Sequence, residues 1–165
     1  MEIGIAVNEK LISRERAVAL AEKKAKRLGI EPVVTEAELC YKKMYFVKIM
    51  AYASRIPFPP KKIGYVIYYD SVLDRGGLTD HIPETKVIDV DNHLIFESIY
   101  TLEDLQKKKA DFIEKYILKN YLLKRPDLEE KGTEEVYLPY WTCKFAPNKK
   151  QEGILINAAT GRYNI

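Results

Sequence analysis

Cysteine and histidine are scarce here, with two of each in 165 residues. Cys40 and Cys143 form no CxxC pair, and neither His81 nor His93 has a second ligand at metal-binding spacing. Zinc sites, disulfide frameworks and redox motifs are therefore not indicated, and the expectation is no metal, no cofactor and two core thiols, since free cysteine is among the most buried residue types. A serine in a nucleophile elbow, a glycine-rich phosphate loop and an HExxH helix are missing too, so no catalytic residue is assigned and the chain reads as noncatalytic. Charge of one sign is also lacking. Twenty-seven basic residues stand against 24 acidic ones, for a net +3, and the two signs are interspersed, which argues against nucleic acid as a partner. Long apolar runs are absent. The most apolar segment, Tyr45 to Ala53, is interrupted by Lys48, so no membrane span is expected. Met1 to Lys10 lacks the basic, apolar and small-residue parts of a secretory signal, which makes the cytoplasm the expected location.

What is present is an ordinary globular composition, 47% hydrophobic and 31% charged, in a length that suits one domain over residues 1–165. Ala17, Val18, Ala21, Ala25 and Leu28 recur at helical spacing, predicting a helix from Arg14 to Leu28 with Ser13 as N-cap and Gly29 just past the end. Val33 to Ala53 changes to β-branched and aromatic residues, with a turn expected around Tyr41 to Lys43 and a central strand over Met44 to Ala53. Pro57, Pro59 and Pro60 predict that Ser54 to Lys62 is a loop or sheet edge. Gly64 to Val72 reads as a strand ending in a turn at Asp74-Arg75-Gly76-Gly77, and Lys86 to Val90 with His93 to Glu97 reads as a hairpin about Asp91-Asn92. A second helix is predicted from Leu102 to Tyr121, opened by Thr101 and Asp104 and limited by Arg125-Pro126. A charged turn, Asp127 to Gly132, then leads to a strand over Glu135 to Phe145, where Pro139 suggests an edge or bulge. After a polar turn over Ala146 to Gly153, a last hairpin turns at Thr160-Gly161.

The predicted fold class is α+β, with two helices packed on an antiparallel sheet. The order helix, aromatic strand, loop, strand occurs twice, which suggests repeat units over 13–98 and 101–165. The run GILINAATGRYNI from Gly153, preceded by YLPYWTCKF from Tyr137, resembles the end of a PepSY-type module, and KVIDVDNHLIFES from Lys86 would be a degenerate copy. That resemblance implies a noncatalytic module, often inhibitory or regulatory, of a kind usually secreted or membrane-attached.

Twelve tyrosines are the compositional oddity. Tyr68, Tyr140 and Trp141 are candidate ligand-binding residues on an aromatic sheet face, because flat rings supply contact area at low entropic cost. Asp74, Arg75 and His81, with Asp80 and Glu84, share a loop that holds a glycine pair, a mix suited to an anion or an acid–base pair. The leading expectation is a binding or regulatory module for a protein or small-molecule partner. The alternatives are a small enzyme with an acid–base site in the 74–84 loop, and a single-stranded nucleic-acid binder using lysines and tyrosines on one face. Ser54 to Lys62 and Val72 to Thr85 make the two units unequal, and function is to be sought there.

Overall fold

Ser13 starts the first helix as predicted. Its hydroxyl accepts from the Arg16 amide at 3.1 Å, and helix α1 runs Arg14–Arg27 until Gly29 takes a left-handed φ of +70°. The computed structural model describes residues 1–6, 10–29, 33–146 and 153–164. The Glu31-Pro32 exit and most of the polar turn over 146–153 lie outside the described residues. Two helices and a mostly antiparallel sheet place the chain in the α+β class.

The chain divides into two units that interleave in sequence, a different division from the consecutive stretches 13–98 and 101–165. Unit 1 comprises residues 1–42, 85–96 and 137–165, and unit 2 comprises residues 43–84 and 97–136. Two long strands, β2 (Val34–Arg55) and β6 (Asp127–Phe145), contribute to both.

In unit 1, β1 (Glu2–Ala6) pairs antiparallel with β5 (Thr85–Asp89) and parallel with β6 at Ile5 and Tyr137. β7 (Gly153–Asn157) pairs with β6 from Tyr140 to Lys144, and β8 (Tyr163–Asn164) pairs with β7. One edge of β6 thus changes partner between Tyr137 and Tyr140. Pro139 falls in that gap, where its missing amide costs no ladder bond. Ala17, Ala21 and Ala25 of α1 are fully buried against Cys143, Phe145, Ile154 and Ile156. The final turn closes as predicted: the Asn157 side chain accepts from the amides of Ala159 (2.9 Å) and Thr160 (3.1 Å), and Gly161 supplies φ +73°.

In unit 2, β3 (Phe58–Asp70) pairs antiparallel with β2 from Arg55 to Met44, and β4 (Gly76–Thr79) pairs with β3. Tyr45, Val47 and Ile49 share one face of β2 at period two and meet Ile67 and Tyr69 of β3 beneath Leu105 and Ile117. Leu105 lies in helix α2 (Leu102–Tyr116), whose start carries the predicted Thr101–Asp104 capping box. Burial of each such side chain is worth about 1.5–3 kcal/mol.

Several expectations are corrected. Tyr41 to Lys43 is strand, not turn, and both lysines find partners on β6: Lys42, fully buried, places its ammonium 4.3 Å from the Tyr140 ring centroid, and Lys43 lies 3.9 Å from the Glu135 carboxylate. Of the two alternatives for Ser54 to Lys62, the loop gives way to the edge: the segment is the tip of the β2–β3 hairpin, with β3 already under way at Phe58 and β4 pairing it only from Val66 to Tyr69. Gly76 and Gly77 are strand residues: a Cβ on Gly76 would stand 2.8 Å from Phe112 and 2.9 Å from the Tyr68 carbonyl. Asp91 keeps an ordinary φ of −62° and leads into a 3-10 turn, Asn92–Leu94, so β5 has no hairpin partner after it and pairs with β1 instead. Asp127 to Gly132 belongs to β6. The second helix ends at Tyr116, and Leu118–Asn120 continues as a 3-10 turn.

Candidate functional site

The β3–β4 connection in unit 2 is built by side chains that accept from or donate to backbone. The Asp70 carboxylate accepts from the amides of Val72 (2.8 Å) and Leu73 (3.0 Å), and buried Ser71 donates to the Lys43 carbonyl at 2.7 Å. The Ser71 carbonyl in turn accepts from Ile99 and Tyr100, which fixes the approach to α2. Asp74 follows with φ +53°, a left-handed conformation that aspartate tolerates better than most residues. Its carboxylate accepts from the Tyr69 hydroxyl and the Lys108 ammonium. These two contacts, Lys108 first, hold the Asp74 carboxyl below the usual range, while burial and then the bond to Asp74 push the Tyr69 phenol up. At neutral pH the group is a protonated phenol, a carboxylate and an ammonium that satisfy one another. That arrangement fastens the β3–β4 turn to α2; it presents no free base.

Arg75 and His81 are exposed, and among the described residues no hydrogen bond or ion pair joins His81 to this cluster. Tyr68 is half-buried with its ring over Gly77. In unit 1, Tyr140 is buried under the Lys42 ammonium, and the half-buried Trp141 donates its indole N–H to the Ile12 carbonyl at 3.1 Å while packing beside α1. The sequence-predicted aromatic residues therefore belong to different units, and Tyr140 and Trp141 are spent on internal contacts.

Unit 1 also holds a cleft of about 180 Å³ whose walls include Glu38, Cys40, His93 and Thr142. The Glu38 carboxylate stands 4.0 Å from both the Cys40 sulfur and His93 Nε2, a grouping of acid, thiol and imidazole drawn from β2 and the 3-10 turn. Burial, with the Glu38 charge adding to it, raises the Cys40 thiol above its ordinary pKa, so the reactive thiolate is disfavoured. The cleft is smaller than the pockets that commonly hold small ligands. Among the described residues, no group of three or more His, Cys, Asp or Glu is placed to hold a metal ion, and no helix is long and apolar enough to cross a membrane.

The more unusual surface lies in unit 2; the sequence pointed to the Ser54 to Lys62 segment that supplies half of it, and missed the Leu122–Leu123 half. Ile56 and Phe58, at the β2–β3 tip, are 85% and 68% exposed, and Leu122 and Leu123, before β6, are 93% and 103% exposed. The two pairs lie toward the same end of the unit. Lys43 faces Glu135 and the Tyr52 hydroxyl donates to Glu129 at 2.7 Å, so residue numbers rise along β2 as they fall along β6. Chain leaving Tyr52 toward Ile56 and chain arriving at Glu129 from Leu123 consequently share one end. A groove of about 340 Å³ beside Leu122 and Leu123 is walled by Leu118 and Tyr121, with Arg125 bonded to Glu114 at its rim. For Ile56 and Phe58 the signal was the proline-rich insertion that holds them; Leu122 and Leu123 follow the predicted helix end at Tyr121 directly, and Leu122 keeps helical spacing from Leu118, so nothing local marked them as exposed. Comparison with family models, with curated proteins and with solved structures finds no match.

Proposed function

We propose that the chain is a noncatalytic binding module that engages its partner through the apolar end of unit 2. The observation that carries this reading is the pair of projecting apolar tips, Ile56 with Phe58 and Leu122 with Leu123. Four large apolar side chains held in water at one end of a unit gain free energy only when something covers them. Support also comes from the ionisable clusters, because Asp74 is already engaged by Tyr69 and Lys108 and the Cys40 thiol is held protonated. A regulatory role of the PepSY kind fits the same reading, its motivation being the Asn157 to Gly161 turn in the carboxy-terminal run.

The test is capture from whole cell extract, with soluble and particulate fractions kept together, by the chain and by a variant in which Ile56, Phe58, Leu122 and Leu123 are all serine. Material retained by the chain and lost from the folded variant supports the proposal. Identical retention by both would overturn it.

A further inference from the structure

The apolar tips have a charge pattern of their own. Residues 54–62, SRIPFPPKK, carry Arg55, Lys61 and Lys62, and residues 118–126, LKNYLLKRP, carry Lys119, Lys124 and Arg125; neither segment contains an acidic residue. Since the whole chain carries only +3, everything outside these two segments is net acidic. All six basic side chains are exposed. The segments from which the four apolar side chains emerge are thus basic and free of acidic residues; Arg125 is paired with Glu114, and the other five basic side chains have no acidic partner within their own segments.

We infer that this end docks on an anionic lipid bilayer surface, a partner class that rests on the binding reading above. The shape and the chemistry agree. The apolar groups sit on projecting tips, and a fluid interface can receive separate tips without a preformed complementary shape, whereas a protein partner would need a matching pocket for each. Apolar side chains entering the boundary between headgroups and acyl chains are released from water, and basic side chains beside them remain at headgroup level, where anionic lipids concentrate. Lysine and arginine suit that position because their long stems lie along apolar surface while the charge stays in water. Pro57, Pro59 and Pro60 restrict the backbone of one tip, which lowers the entropy lost on insertion. The second tip is held from behind, where the Tyr121 hydroxyl meets that of Tyr65 at 2.9 Å.

Flotation of the full chain with vesicles tests this directly, using phosphatidylcholine alone and phosphatidylcholine mixed equally with phosphatidylglycerol. The chain should float with the mixed vesicles and not with the neutral ones, and added salt should weaken the association. Two variants, Phe58→Ser/Leu123→Ser and Lys61→Glu/Lys62→Glu, should each reduce it by about tenfold, the first through lost insertion and the second through lost attraction. Equal flotation with neutral vesicles, or undiminished flotation of the serine variant, would overturn the inference. Should nothing float while capture from extract still depends on the four apolar side chains, the partner is a protein or a second copy of the chain; the bilayer is then excluded and the binding reading stands. If extract capture is also indifferent to them, both fall.

Discussion

Helix α1 meets its strands with alanine, whereas α2 meets them with leucine, isoleucine and phenylalanine. In unit 1, Ala17, Ala21 and Ala25 are themselves fully buried, so helix and strands approach closely and the apolar volume comes from Cys143, Phe145, Ile154 and Ile156. In unit 2 the helix supplies the volume through Leu105, with Phe112 and Ile113 packed around it, and a strand glycine, Gly76, makes room for Phe112. The same helix-on-sheet problem is solved by small residues on the helix in one case and on the strand in the other. A second contrast follows. Unit 1 draws its aromatic strand residues Tyr137, Tyr140 and Phe145 inward, while unit 2 carries its most exposed large apolar side chains, Ile56, Leu122 and Leu123, in the two segments flanking its long strands.

The comparison can be broken by substitution. Leu105→Ala should have the largest effect, about 3 kcal/mol of lost stability by urea denaturation, because it opens a cavity in a fully buried site. Ala21→Leu acts in the opposite sense, forcing volume into a contact with none to spare, and should cost about 2 kcal/mol in the same measurement. If Ala21→Leu were neutral, the close approach of α1 would not be what sets its alanines.

Acid sensitivity sharpens the account of unit 2. Asp74 has its pKa lowered in the folded chain, so its contribution is present above the unfolded value, near 4, and is lost as pH falls through the folded value. Asp74→Asn keeps a residue that tolerates φ +53° but removes the charge. Stability measured against pH should fall less steeply for the variant below about pH 4, and an unchanged slope would mean that the contact with Lys108 and Tyr69 does not respond to protonation. The smallest effect is expected at the tips, where Ile56→Ser and Leu123→Ser should change stability by no more than about 0.5 kcal/mol.

Both helices were legible because their signals are local. Ser13 and Gly29 bracket α1, Thr101 and Asp104 open α2, and the apolar residues between them repeat at threes and fours. The long strands were not legible through their charged stretches, since Lys42-Lys43 and Asp127 to Gly132 carry the composition of turns. What makes them strand is distant in sequence: the Tyr140 ring for Lys42, Glu135 for Lys43, Tyr52 for Glu129 and Lys109 for Glu130. Gly76-Gly77 was misread for a related reason. The missing side chains serve Phe112 and Tyr68, and no local rule announces a close approach from elsewhere. At the candidate site, Asp74 and Arg75 were visible as loop residues, but the Lys108 partner lies on a separate helix. The insertion Ser54 to Lys62 was singled out for its prolines, although whether Ile56 and Phe58 face water depends on tertiary structure.

The most direct measurement places an environment-sensitive dye at the tip. Cys40 and Cys143 are buried, so a thiol-reactive dye should label an introduced cysteine selectively, at Leu123→Cys in the tip or at exposed Lys26→Cys on α1 as the control. On addition of phosphatidylglycerol-containing vesicles, the dye at position 123 should shift to the blue while the dye at position 26 stays unchanged. No shift at position 123, or an equal shift at both positions, would contradict docking through the apolar end of unit 2.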